Sequence, residues 1–130
     1  MKIGIQCKGF SLTSAIAGRV RKRLDFLLGR GLSRLRRVDV TLSDLNGPRG
    51  GVDKRCLIKV SIDGLRPVVV EDIQSDLYIA IDRATGRASR TVVRRMELDN
   101  SRRRAEAQRW LDQQRKLDKQ ALLGALGILD

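Results

Sequence analysis

A chain of 130 residues, 42% of them hydrophobic, can build one domain with a modest core and an appended element. It contains no histidine, which excludes Ser-His and Cys-His nucleophile pairs and histidine metal sites, and it has no apolar run of about 18 residues to cross a membrane as a helix. The net charge of +12 costs self-repulsion and points to a polyanionic partner, either nucleic acid or an acidic membrane surface.

The opening "MKIGIQCKGF" lacks the apolar core of a secretion signal, so a soluble cytoplasmic protein is expected. Residues 2–8 alternate, with Ile3, Ile5 and Cys7 on one side and Lys2, Gln6 and Lys8 on the other, as in a half-buried strand. A helix follows. Thr13 suits its N-cap, and Ile16, Val20, Leu24, Leu27 and Leu28 form its apolar face. Gly29 and Gly31 suit its C-terminal end. "RVDVTLSDL" alternates again with Val38, Val40 and Leu42 inward, and "NGPRGG" (46–51) reads as a loop. In "KRCLIKVSID" Cys56, Ile58, Val60 and Ile62 share a face. Asp63-Gly64 then signals a hairpin turn into "RPVVVEDI". The last helix of this set begins near Ser75 or Asp76, with Leu77, Ile81, Ala84, Ala88 and Val92 on its apolar side.

This order, β-α-β-β-β-α, predicts an α+β domain over residues 1–96. Its four-stranded mixed sheet carries both helices on one face, a layout like that of double-stranded-RNA-binding domains. The first two strands are expected to be parallel, joined by a right-handed crossover, and the others antiparallel. Residues 97–130 are expected to form a helical tail that docks by Trp110 and Leu111 or folds on a partner. Cys7 and Cys56, both on apolar strand faces and without a C-x-x-C motif, are expected to be buried free thiols.

Charge is distributed unevenly. Residues 1–96 hold 20 basic and 9 acidic side chains, whereas residues 97–130 hold 7 and 6, so the excess belongs to the folded part. Of the 27 basic residues 20 are arginine, which fits bidentate phosphate recognition and equally fits a GC-rich genome. Placement is more informative than identity. Arg83, Arg87, Arg90 and Arg94 fall within a helical stripe about 60° wide. Like charges at i,i+4 repel, and the pattern shows no acid between them on that face. Arg19, Lys22 and Arg23 add charge from the first helix. Gly86 interrupts the second helix at a cost of about 1 kcal/mol relative to alanine, and the sequence offers no account of it.

No reaction class is supported. "GPRGG" does not match a phosphate-binding P-loop and precedes no helix, and Glu71, Asp72 and Asp76 suit a helix N-terminus better than a metal site. No metal, cofactor, membrane or small-molecule substrate is expected. Neither a recognition helix nor a base-stacking aromatic pair on a strand is evident. Two basic helices suit backbone and shape recognition of folded RNA.

Two segments carry a family resemblance. "KGFSLTSAI" (8–16) resembles the turn and helix start after the first strand of ribosome hibernation-promoting factors, also called ribosome-associated inhibitors. "VVVEDIQSDLYIAIDRA" (68–84) resembles their strand ending in an acidic pair, followed by D-x-Y-x-A-I-D, here Asp76, Tyr78, Ala80, Ile81 and Asp82. The resemblance covers about residues 1–96. It implies a non-enzymatic protein that binds the small ribosomal subunit between head and body. There it would exclude messenger RNA and tRNA in stationary phase or stress. By that likeness Arg83, Arg87, Arg90 and Arg94, with Lys22 and Arg23, would contact ribosomal RNA, while Tyr78 and the neighbouring acids shape the helix start; Arg19 joins the RNA-binding candidates by its charge on the first helix. Residues 97–130 do not match the dimerisation domain of long family members, so a monomer off the ribosome is expected. An adapter for an acidic protein or transcription factor, and a generic structured-RNA binder, are the alternatives.

Overall fold

The four alternating segments pair side by side, in chain order, into one sheet. The computed structural model describes residues 2–29, 33–46, 49 and 51–127. Its elements are β1 (Lys2–Lys8), α1 (Ser14–Leu28), β2 (Leu35–Asp44), β3 (Lys54–Ile62), β4 (Val68–Gln74) and α2 (Leu77–Ala125). β1 runs parallel to β2, and β2–β3 and β3–β4 are antiparallel, as the crossover and hairpin arguments require. Gly31 and, within the predicted 46–51 loop, Gly47, Pro48 and Gly50 lie outside the described residues.

Register turns alternation into rows. Ile3, Val38, Val60 and Val68 form one row across the sheet, and Ile5, Val40, Ile58 and Val70 the next. A third row runs Cys7, Leu42, Cys56 and Asp72. The β2, β3 and β4 members of these rows are buried. Ile16, Val20, Leu24 and Leu28 of α1 and Ala80, Ile81, Ala84, Ala88 and Val92 of α2 are buried with them, so both helices cover this one face. Fully burying a valine, leucine or isoleucine side chain contributes about 1.5–3 kcal/mol, which makes this layer the main source of stability. The rows also place a carboxylate, Asp72, on the helix-covered side, only 7% exposed.

Caps and turns follow local chemistry. The Thr13 hydroxyl accepts from the Ile16 amide at 3.2 Å and caps α1. Asp76 caps α2: its Oδ1 accepts from the Tyr78 amide at 2.8 Å and the Ile79 amide at 3.4 Å. Gly64 adopts φ of +74° in the β3–β4 turn, a conformation that favours glycine. Lys54 Nζ meets Asp44 Oδ2 at 3.0 Å, tying β2 to β3 at their loop end.

Two expectations are corrected. The second helix and the tail helix are one element, Leu77–Ala125, because no glycine or proline interrupts residues 87–123 and helix formers dominate throughout. Cys56 is buried, and burial pushes its thiol up to about 12, but Cys7 is only half-buried because β1 is an edge strand. Both thiols are free. By contacts the chain separates into two compact units, Met1–Val93 and Arg94–Asp130. Among the described residues no helix is long and apolar enough to cross a membrane, and no group of three or more metal-ligating side chains gathers.

Candidate nucleic-acid interface

The two helices meet through polar contacts above the buried layer. Ser89 Oγ donates to the Leu27 carbonyl at 3.1 Å, and Arg23 Nη2 donates to the Asp82 carbonyl at 3.2 Å. Asp82 also accepts from Arg19 Nε at 3.0 Å and pairs with Arg23 Nε at 3.4 Å. Its hydrogen bond and its charge raise the pKa of Arg19 further. These contacts fasten α1 to the first turns of α2.

Between the helices lies an open groove of about 330 Å³ lined by Arg23, Asp82, Arg83, Gly86, Arg87 and Arg90. Gly86 forms its floor. A Cβ built there would lie 3.4 Å from Arg90 Nη1 and 3.9 Å from Arg23 Nη2, ordinary contact distances. Glycine is therefore not demanded by a clash. It keeps the floor open beneath two guanidinium groups that converge from different helices, which accounts for the helix-breaking residue in the arginine stripe.

The stripe is partly compensated, contrary to the expectation of an acid-free face. The acids come from β4 and not from the helix. Asp72 Oδ2 lies 3.5 Å from Arg83 Nε and 3.4 Å from Arg87 Nη1, and Arg87 Nη1 also donates to the Glu71 carbonyl at 2.7 Å. The physical reason is register: alternation along β4 turns Asp72 inward beneath α2. Sequence periodicity of two carried that signal, since Val68 and Val70 share its parity. Glu71 turns outward and pairs with Arg55 at 2.7 Å. The prediction that Asp76 shapes the helix start matches its capping bonds, whereas Asp72 holds arginines instead.

The seven candidate residues thus fall into distinct states. Arg19 and Arg23 are tied to Asp82, and Arg83 and Arg87 to Asp72. Arg90 and Lys22 are exposed and form no ion pair or hydrogen bond among the described residues. Arg94 is likewise exposed and belongs to the second unit. In the first unit, six basic side chains face two carboxylates, so the helical face retains a strong positive excess. The opposite sheet face is mixed: Lys2, Lys8, Arg55 and Lys59 share it with Asp39, Glu71 and exposed Val69.

The domain is α+β and basic, with a cationic face built from two helices, a charge pattern that suits a polyanionic surface. The family described as Sigma 54 modulation protein / S30EA ribosomal protein matches residues 3–98, and the chain belongs to that family. A comparison with curated proteins gives no match. Among solved structures, the N-terminal domain of Protein Y from Thermus thermophilus is 32% identical with a TM-score of 0.60, covering 72% of this chain and 98% of that one. A ribosomal subunit interface protein from Coxiella burnetii shares the fold at 12% identity and a TM-score of 0.64, covering 75% of this chain and 99% of that one.

Proposed function

We propose that the protein is a cytoplasmic, non-enzymatic hibernation factor. In this reading it binds the small ribosomal subunit near the decoding centre and excludes messenger RNA and tRNA during stress or stationary phase. The observation that carries the reading is the α1/α2 face, where exposed Lys22 and groove-lining Arg90 have no ion pair or hydrogen bond among the described residues. Unpaired guanidinium and ammonium groups on rigid helices are preorganised for phosphate, because no internal bond must break before contact. Membership of the family and the names of the solved relatives support a ribosomal partner. Residues 1–96 would bind as a unit, with residues 97–130 a separate helical appendage, and the free protein would be a monomer.

Sedimentation of purified small subunits with the protein at moderate salt tests this directly. Comigration with the small subunit, and inhibition of translation in a reconstituted system, are expected. A protein that stays at the top of the gradient overturns the reading.

A further inference from the structure

We propose that Phe26 and the α1/α2 groove form a seat for one unpaired RNA nucleotide, with its phosphate over Gly86 and its base against the Phe26 ring. This rests on the RNA-binding reading above and goes beyond recognition of backbone and shape alone.

Phe26 is 70% exposed, in a chain with only two phenylalanines, one tyrosine and one tryptophan. It projects from α1 in the middle of the cationic strip. At about 100° per residue, Lys22, Phe26, Arg19 and Arg23 fall within about 100° of one another, on the side away from Val20 and Leu24. Lys22 is four residues before Phe26 and Arg23 is three, the spacings that make helix side chains neighbours. Arg23 in turn lines the groove and points its guanidinium toward the same spot as that of Arg90. An aromatic ring therefore stands one side chain away from a preformed phosphate position.

That combination has a specific chemical reading. The faces of paired bases are covered by their neighbours in a duplex, so a duplex offers Phe26 nothing to stack on and engages only the cations. An unpaired nucleotide offers both a phosphate for the arginines and a free π-face for the ring. Stacking of this kind tolerates any base. Asp82, the carboxylate lining the groove, is engaged by Arg19 and Arg23, and the strip holds no side-chain amide to read base edges, which fits the same sequence-tolerant mode.

The test uses the full chain and fluorescence anisotropy at low salt, with a short uridine oligonucleotide and a blunt RNA duplex of equal charge as probes. Phe26→Leu should weaken binding of the single strand about 5-fold or more and leave duplex binding unchanged, and Phe26→Trp should restore it. Gly86→Leu, which fills the groove with a good helix former, should weaken the single strand as well. Equal single-strand affinity for Phe26→Leu and wild type, equal losses for both probes, or no single-strand binding by the wild type would each overturn the proposal. Small-subunit sedimentation of the same proteins separates the two claims. Wild type that sediments with the subunit while Phe26→Leu is neutral on the oligonucleotide sinks only the nucleotide seat. Wild type that fails to sediment sinks the ribosomal reading.

Discussion

Arg87 and Arg90 stand three residues apart on α2 and do different work. Arg87 donates to the Glu71 carbonyl and lies beside nearly buried Asp72, so it satisfies groups that the sheet edge leaves open. Arg90 has no partner among the described residues. Its charge is thus available without loss to the fold. Arg90→Glu should lower small-subunit affinity about tenfold or more with an unchanged melting temperature, since an exposed helix residue away from other contacts shifts stability by less than about 0.5 kcal/mol. Arg87→Glu should lower affinity and also cost about 1–2 kcal/mol, because it sets a carboxylate against Asp72 and orphans a carbonyl, with the ion-pair part reduced by solvent. Thermal melts beside binding curves separate the two. Equal stability of both variants would remove the structural role assigned to Arg87. The sequence treated these arginines as one row; only their surroundings distinguish them.

At the scale of elements, helix starts are governed locally and were readable. Thr13 and Asp76 each present a side-chain oxygen to amides that a helix leaves unpaired. Asp76→Ala should therefore destabilise the domain by about 1 kcal/mol, measured by urea denaturation, while Asp76→Asn or Asp76→Ser should lose much less. A full loss with Asn would show that charge, not capping, is the active feature. Strand alternation was equally readable, and β1 through β4 follow it. The join at residue 97 was not. The change from a basic amphipathic stretch to mixed charge alters which face is apolar, but backbone helicity needs only good helix formers and an absence of breakers, and both persist to Ala125.

For the whole molecule, charge location decides what can be removed. The 20 basic and 9 acidic residues of 1–96 leave the last 34 residues almost neutral, with 7 and 6. A chain truncated after Leu98 should keep its small-subunit affinity. It should also keep the salt dependence, a slope of log K on log[salt] of about −4 to −5 if about six phosphates are engaged. Titration of full-length and truncated protein over a range of salt checks both. Loss of binding on truncation would favour the adapter alternative, in which the helix carrying exposed Trp110 and Leu111 is the docking element.

By itself the sequence determined the element order, the apolar faces, the Thr13 cap and the family likeness, because each depends on neighbours within a few positions along the chain. It also located the charge and drew attention to Gly86. Tertiary structure alone decided which charges are free. Strand parity turns Asp72 inward, but Asp72 and Asp82 reach their arginine partners across 11 to 63 positions of sequence, and only the packing of helices on sheet selects those partners. The same packing brings Arg23 and Arg90 over Gly86, turning a weak point of a helix into the floor of a groove.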